Sequence, residues 1–295
     1  MKSWLWLSLA LVTFSSAFAG IEEIFQYPED RNYTSRDTGM RPYLAKSLYN
    51  THTFALTFDD GPNPATTPHM LDVLKKHDIK AVFFVLTQNL NEQTIPLIKR
   101  MLDEGHIVAD HGPSHDNANT LTEAQFKDQL KSSINKIAAL YQQFNYDYDK
   151  IFFRYPYGAY GGRSDYHQMN VMQEVSKELF GDNCIQFVFW DVDTVDWLPG
   201  ITSPEVAQNI IAWNEGGKAI DFKKNPDGSF GKLPYVVKNP TAGGVVLNHD
   251  IHVNTPGAID IFLDYTKTHG VNIVRLDEVE EFRVSKHCQI NSSFQ

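Results

Sequence analysis

The chain has 295 residues and a formal net charge of −10, because 36 acidic side chains outnumber 26 basic ones. Nucleic-acid binding depends on neutralising phosphates with Lys and Arg, and no basic cluster offsets the acidic excess, so we expect no nucleic-acid partner. A neutral or weakly charged polymer such as a glycan suits this balance better. The length is sufficient for one large α/β domain.

The N-terminus has the pattern of a secretory signal peptide. Lys2 supplies positive charge, residues 5–14 form an apolar core, and Ala-Phe-Ala at 17–19 matches a small-x-small cleavage site. A membrane anchor is the alternative, but the apolar run is too short to cross a bilayer comfortably, and no later stretch is apolar enough. We therefore predict a signal peptide over residues 1–19, no stable membrane span, and export to the periplasm or outside the cell.

The rest of the chain divides into an extension, one domain and a tail. Residues 20–50 are polar and turn-rich, which indicates an N-terminal extension packed on a domain formed by residues 51–285, and residues 286–295 form a C-terminal tail. The predicted strands are residues 52–58, 81–86, 106–109, 151–154, 186–190, 244–248 and 272–276. The predicted helices include residues 68–77, 94–104, 122–144, 168–180 and 204–213, with Thr122 and Ser203 as N-caps. Residues 216–243 predict a long loop or small excursion.

Strands that alternate with helices predict parallel pairing with right-handed crossovers. Seven such units fit a barrel or an open doubly wound sheet, and local pattern leaves both open. Polar side chains lie at or just past the C-terminal ends of five predicted strands, and a barrel places those ends around a single mouth. These residues are Asp59, Asp60, His111, Arg154, Asp191, Asp193 and His249. We therefore predict a single-domain α/β barrel of seven units.

A metal site is predicted from one strand-end carboxylate and two histidines. Asp59 and Asp60 end a strand that reads as half-buried, and neighbouring residues of an extended chain point in opposite directions, so one carboxylate can bind a metal while the other faces a water. His111 and His115 have the spacing of one helical turn, although two histidines this close can also arise by chance. Asp with two His leaves a coordination position open, as catalysis requires. Zinc is the default ion, with Co, Ni or Mn as alternatives.

Three further strand ends carry candidate functional residues. Arg154 precedes a Pro-rigid loop, residues 190–197 bring three acids and two tryptophans together, and His249 ends an apolar strand. Ordinary explanations remain for each: an arginine paired with a surface acid, a solvated acidic loop, and a satisfied core histidine. Tryptophans beside such a loop suggest a surface on which sugars stack.

With these motifs in place, the chain closely resembles the polysaccharide deacetylase family, the fourth carbohydrate esterase family. All five family motifs are recognisable in order across roughly residues 52–285. The resemblance implies that this region is the catalytic domain. They are Thr-Phe-Asp-Asp-Gly-Pro at 57–62, His111 with His115, Arg-Tyr-Pro-Tyr at 154–157, Asp-Thr-Val-Asp-Trp at 193–197, and Leu-Asn-His at 247–249. The family fold is a distorted (β/α)7 barrel, in agreement with the strand count.

The resemblance also implies roles for single residues. Asp59 would be the catalytic base, oriented by Arg154, and Asp60, His111 and His115 would bind the metal. The backbone N–H of Tyr157 would help hold the oxyanion, and His249, tuned by Asp193, would be the general acid. Leu247 would line the acetyl-methyl pocket and Trp197 the substrate groove. One position departs from the family: Gly112 stands where Ser or Thr usually steadies the loop that holds the ligands, so the support of the metal differs here.

The implied activity is metal-dependent removal of N-acetyl groups from N-acetylglucosamine residues of a polysaccharide. Peptidoglycan is the substrate we favour, with chitin oligomers and acetylated xylan, an ester, as alternatives. A barrel that only binds glycan is a further alternative, against which the complete set of base, ligands and acid argues. Phosphate hydrolysis fits less well, because such sites generally place more carboxylates around two metals. The sequence does not indicate an oligomeric state.

The two cysteines, Cys184 and Cys288, lack metal-ligand spacing. In an exported protein an oxidising compartment permits a disulfide. Cys184 directly precedes the fifth predicted strand, at the end of the barrel opposite the mouth, and a helix after the seventh strand would return Cys288 to the same end. We therefore predict a disulfide between them, with two independent thiols as the alternative.

Overall fold

This computed structural model describes residues 44–161, 168–283 and 288. The predicted signal peptide, most of the N-terminal extension and all of the C-terminal tail except Cys288 lie outside the described residues. Among those described, no helix combines the length and apolar character needed to cross a membrane.

Eight parallel strands form the main sheet, and two antiparallel strands form a separate hairpin. In chain order the strands are β1 Thr53–Asp59, β2 Val82–Val85, β3 Ile107–Asp110, β4 Phe152–Phe153, β5 Gln186–Phe187, β6 Val192–Asp193, β7 Gly217–Lys224, β8 Phe230–Val237, β9 Gly243–His249 and β10 Asn272–Val274. The order along the main sheet is β5-β4-β3-β2-β1-β9-β6, and β10 pairs with the first half of β1. The sheet curls into a half-barrel whose two end strands, β5 and β6, are consecutive in the chain.

This arrangement confirms the distorted (β/α)7 barrel. A strand forms within or next to each of the seven predicted segments, but the sequence did not indicate β6, which has only two residues. Residues 216–243, predicted as a long loop or a small excursion, contain the hairpin β7–β8.

The described residues form six α-helices that cover the sheet. They are α1 Thr67–Lys76, α2 Ile95–Asp103, α3 Glu123–Gln143, α4 Gln168–Phe180, α5 Ser203–Glu215 and α6 Thr255–His269. Thr122 caps α3 as predicted. The predicted cap of α5 is wrong, because the cap is Thr202 and not Ser203. The Glu205 carboxylate accepts from both the N–H and the hydroxyl of Thr202 at 2.8 Å. Helix α6 is not among the predicted helices, because its start reads Asn-Thr-Pro-Gly, a pattern typical of a turn.

Strand β1 lies at the centre of the sheet and is buried on both faces. Four of its side chains are each at most 1% exposed: Phe54, Ala55, Leu56 and Phe58. The strand forms as predicted, but the prediction that it is only half-buried is wrong. One face of a barrel strand packs inside the barrel and the other packs against helices, and both environments exclude water. This burial fixes the position at which β1 ends.

Cys184 and Cys288 form the predicted disulfide, with their Cα atoms 5.8 Å apart. Residues after β10 form two short 3₁₀ turns, Leu276–Glu278 and Glu280–Phe282, instead of the predicted helix. Both cysteines are buried in a cluster with side chains of α3, α4 and β4. The bridge therefore fastens the end of the described chain to the core.

Candidate functional site

The two aspartates at the end of β1 face the same imidazole. Asp59 is the last residue of the strand, and Asp60 leaves it with a positive φ of 72°. The Nε2 atom of His111 lies 3.6 Å from Asp59 Oδ2 and 3.5 Å from Asp60 Oδ1. The expectation that the two carboxylates point in opposite directions is therefore wrong, because the chain is no longer extended at Asp60.

Asp60, His111 and His115 come together as the sequence predicts. Their candidate ligand atoms all lie within 4.8 Å of one another, and His115 Nε2 is 3.5 Å from Asp60 Oδ1. The histidines meet across an irregular loop and not on a helical turn. His111 Nδ1 lies 2.8 Å from the carbonyl oxygen of Arg154, which fixes the ring with Nε2 toward the carboxylates.

These three residues fit a divalent cation. Asp60 Oδ1 is buried without a hydrogen-bond partner, although it faces two imidazole nitrogens. Burial raises the pKa of Asp60, but the close contact with His111 and the charges of His111, His249 and His115 outweigh it and lower the pKa to about 2. The carboxylate is therefore ionised at neutral pH, as a metal ligand must be.

The loop that carries the histidines is supported by a residue that the sequence did not indicate. Asp110, fully buried at the end of β3, accepts from the Gly112 N–H at 2.8 Å and from the Ser133 hydroxyl at 2.6 Å. Burial raises the pKa of Asp110 to about 7 despite these two donors. Gly112 has a φ of +88°, a conformation that glycine adopts without strain. Asp110 thus holds the loop backbone at Gly112, the position where the family usually has Ser or Thr.

Arg154 is completely buried and holds Asp59 in place. Its Nη1 donates to Asp59 Oδ1 and to the Thr57 hydroxyl, both at 2.8 Å. Its Nε donates to the Val188 carbonyl at 3.0 Å, and its guanidinium lies 4.2 Å above the ring of Phe84. A guanidinium with so many fixed partners gives Asp59 a single orientation.

His249 pairs with Asp196, and the predicted partner Asp193 is wrong. The Nδ1 atom of His249 lies 2.7 Å from Asp196 Oδ1, and its backbone N–H donates to Asp196 Oδ2 at 2.7 Å. Asp193 instead accepts from the N–H of Val195, whose φ of 48° turns the chain and brings Asp196 back toward β9. The Thr255 hydroxyl also donates to Asp196, so this carboxylate is fully engaged.

The pair has opposite pKa shifts. Burial lowers the pKa of His249, but the charge and hydrogen bond of Asp196 overcome it and raise the value to about 10. Burial raises the pKa of Asp196, and the charge of His249 outweighs it and lowers the value. Burial raises the pKa of Asp193 to about 6, since only a backbone N–H and a more distant His249 oppose it. His249 is therefore protonated at neutral pH.

The remaining predicted residues surround this centre, with one exception. Leu247 is 5% exposed and lies beside Asp193 in the register of β9 with β6. The ring of Tyr157 packs 4.3 Å from that of His115, and Trp197 follows Asp196 in the chain. The exception is the strand-end residue Asp191, which accepts from the Tyr49 hydroxyl and the Val245 N–H and thereby tethers the described end of the N-terminal extension. His252, which the sequence did not indicate, forms a second cluster with Asp196 and His249.

Comparison with known proteins agrees with this geometry. Residues 48–173 match the family model for polysaccharide deacetylase. A peptidoglycan-N-acetylglucosamine deacetylase of Bacillus cereus is 29% identical over 255 residues, which cover 83% of this chain and 73% of that protein. Two solved structures are also similar. One is a peptidoglycan N-acetylglucosamine deacetylase, with a TM-score of 0.57 and 27% identity; the match covers 81% of this chain and 92% of that one. The other is a family 4 acetyl xylan esterase from Clostridium thermocellum in complex with cobalt, with a TM-score of 0.54 and 25% identity; the match covers 77% of this chain and 89% of that one. The chain belongs to the polysaccharide deacetylase family.

Proposed function

We propose that the chain is an exported, metal-dependent deacetylase that hydrolyses N-acetyl groups of N-acetylglucosamine residues in cell-wall polysaccharide, with peptidoglycan as its substrate. One observation carries the proposal: Asp59, held by Arg154, and His249, held by Asp196, are paired at the ends of β1 and β9, beside the group formed by Asp60, His111 and His115. Such a set suits hydrolysis, which needs one group to take a proton and another to give one. The similar Bacillus cereus protein supports the choice of substrate, and the signal-peptide pattern supports export.

Asp60, His111 and His115 would hold the metal, and zinc is the ion we propose, with Co, Ni or Mn as alternatives. When bound, a metal of this kind polarises a carbonyl and lowers the pKa of water from 15.7 toward about 7. The residues fit this role because they offer two imidazole nitrogens and one ionised oxygen as ligands, which would leave a position for substrate or water.

Asp59 would act as the general base. It is 2% exposed, and one of its oxygens is occupied by Arg154, so the other, Oδ2, is directed toward His111 and the proposed metal position. Arg154 would be a positioning residue, because its contacts are with Asp59 and the barrel wall. Taking the proton of the attacking water in this fixed geometry avoids reorganisation during the reaction.

His249 would act as the general acid and protonate the departing amine, which is otherwise a very poor leaving group. Asp196 would keep the imidazole protonated and oriented through Nδ1, which leaves Nε2 free to donate. The backbone N–H of Tyr157 would help stabilise the oxyanion. Leu247 would contact the acetyl methyl group, and Trp197 would contact a sugar ring.

Two alternatives use the same site. An O-deacetylase would cleave an acetate ester, and the similarity to an acetyl xylan esterase favours this second candidate. A barrel that binds glycan without turning it over would not need both Asp59 and His249.

An acetate-release assay tests the proposal. Purified protein is incubated with peptidoglycan, N-acetylglucosamine oligomers and acetylxylan, with and without a chelator, and muropeptides are analysed by mass spectrometry. We expect acetyl loss from muropeptides that stops with chelator and returns on adding zinc. His69→Ala, which removes an exposed histidine that is not one of the three candidate ligands, is the matched control for His111→Ala. Release from acetylxylan alone, or from no substrate, would overturn the proposal.

A further inference from the structure

The hairpin β7–β8 places two phenylalanines beside the loop that holds His249. Phe222 and Phe230 are each 39% exposed, and their ring centroids lie 4.9 and 5.4 Å from that of Trp197. The two phenylalanine rings lie 5.6 Å from each other, so the three aromatic residues form one continuous cluster. Trp197 directly follows Asp196 in the chain, so this cluster adjoins the loop that holds the proposed acid.

The hairpin is fixed to the site by a buried amide. The side chain of Asn209 in α5 is 1% exposed and donates to the carbonyl oxygens of Thr194 at 2.9 Å and Ile220 at 3.0 Å. It also accepts from the Ile220 N–H at 2.7 Å. Thr194 is two residues before Asp196, so the aromatic cluster keeps a constant position relative to the proposed catalytic residues.

One face of the hairpin combines aromatic rings with a free cation. The register pairs Phe222 with Lys232 and Lys224 with Phe230, and residues directly opposite in an antiparallel pair share a face. Lys232 is engaged by Glu205 at 2.6 Å, whereas within the described residues no carboxylate oxygen lies within 4.0 Å of the Lys224 ammonium. Lys224 is thus available for a ligand.

The local charge differs in sign from that of the whole chain. Residues 217–237 carry four lysines and two aspartates, in a chain of net charge −10. A basic segment on an acidic protein attracts anionic groups at short range, within about a Debye length of 8–10 Å. Peptidoglycan strands carry carboxylates on their peptide stems, or on the lactyl group where no stem is attached, while chitin oligomers carry none.

We propose that Trp197, Phe222, Phe230 and Lys224 form a binding site for an anionic acetylated glycan, in which a sugar ring packs on the two phenylalanines and a carboxylate of the strand meets Lys224. This inference rests on the proposed deacetylase function and narrows its substrate class. Exposed aromatic rings suit sugars because a ring face of a pyranose is apolar, and the exposed ammonium adds selectivity for charged strands.

Dissociation constants test this site without depending on turnover. All variants are made in an Asp59→Asn background and titrated with a peptide-bearing peptidoglycan tetrasaccharide and with tetra-N-acetylchitotetraose. Phe222→Ala and Phe230→Ala should weaken both ligands about tenfold. Lys224→Gln should weaken only the peptidoglycan fragment, by about two- to fivefold. The controls Leu233→Ala and Lys223→Gln change exposed side chains on the other face of the hairpin and should leave both constants unchanged.

The outcomes separate this site from the deacetylase proposal. Four results would each overturn the hairpin site. The control variants could lose affinity, or Lys224→Gln could weaken both ligands equally. The phenylalanine variants could keep their affinity, or the Asp59→Asn parent could show no measurable binding. If the affinities change as expected but the unmutated chain releases no acetate, the deacetylase proposal fails and the site stands. If acetate is released and the affinities do not change, the deacetylase proposal stands and the hairpin site fails.

Discussion

Asp196 binds His249 through both carboxylate oxygens: Oδ1 lies 2.7 Å from the imidazole Nδ1, and Oδ2 accepts the backbone N–H at 2.7 Å. The contact orients the ring and also sets its charge, because a buried imidazole without this partner would lose its proton more easily. Asp193, three residues earlier, is bonded to the N–H of Val195. The proposed acid therefore depends on one particular aspartate of the two.

The first prediction concerns the pH dependence of turnover. His249 must be protonated to donate, so activity is present below its raised pKa and is lost as the pH rises through that value. Asp196→Asn removes the charge that raises the pKa, so we expect the alkaline limb of kcat/KM to move to lower pH by about 1–3 units. The measurement is kcat/KM for acetate release from pH 5 to 11.

Asp193→Asn is the matched control, and its alkaline limb should stay close to that of the unmutated chain. Asp196→Asn also leaves a donor facing a donor, so stability should fall by about 1–3 kcal/mol, which thermal unfolding monitors separately. An unshifted alkaline limb in a folded Asp196→Asn protein would remove Asp196 from its assigned role.

The second prediction separates base from ligand. Asp59→Asn should keep the metal, because Asp60, His111 and His115 remain, but should lose turnover by about a hundredfold to ten-thousandfold, since an amide cannot accept the proton of water. Metal content by mass spectrometry and acetate release decide it. Near-normal turnover would mean that another group is the base.

The third prediction concerns the ligands. Asp60→Ala and His111→Ala should each weaken metal binding by more than the roughly 10–100-fold typical of losing an outer partner, and activity should be lost in parallel. Competition with a chelating indicator measures the affinity, with His69→Ala as the control. Full metal occupancy in either variant would contradict the assignment.

Much of the site follows from strand ends that the sequence indicates. Parallel strands of a barrel end at one rim, so residues as distant in the chain as Asp60 and His115 meet there once the strands are placed. The choice between Asp193 and Asp196 depends on a two-residue strand and a positive φ at Val195, which residue patterns do not encode. The sequence does not predict the role of Asp110 either, because its partners are a backbone N–H and a serine on a helix that is distant in the chain.

The hairpin could have been anticipated from a local signal. Asn225 to Gly228 read Asn-Pro-Asp-Gly, and turn residues between two runs that contain apolar side chains are typical of a hairpin. The many Lys, Asn and Gly residues around them favoured a loop instead. What the sequence cannot supply is the contact between the hairpin and Trp197, which depends on tertiary packing.

The fourth prediction concerns the disulfide. The bridge spans a sequence separation of 104 residues, so in the chain-entropy model its removal should lower the free energy of unfolding by about 4–5 kcal/mol. Cys288→Ser is measured by urea unfolding, with the reduced unmutated protein as the comparison. Two titratable thiols in the denatured, unreduced protein would rule the bridge out.

The last prediction concerns Gly112, where the family usually has Ser or Thr. Restoring serine should weaken metal binding, because φ is +88° and a residue with a Cβ is strained in left-handed conformations by about 1–2 kcal/mol. The strain is conformational and not a clash, since an added Cβ would lie 3.5 Å from the nearest atom, the carbonyl oxygen of Ser114. We expect the loop of the variant to relax when no metal is bound, so that the strain opposes metal binding and lowers the affinity by about 5–30-fold. Ser114→Ala, which removes a hydroxyl bonded to Asp116 at the surface of the same loop, should bind metal normally. A Gly112→Ser protein that binds metal as tightly as the unmutated chain would show that the serine finds a relaxed conformation, and that the support from Asp110 does not depend on glycine.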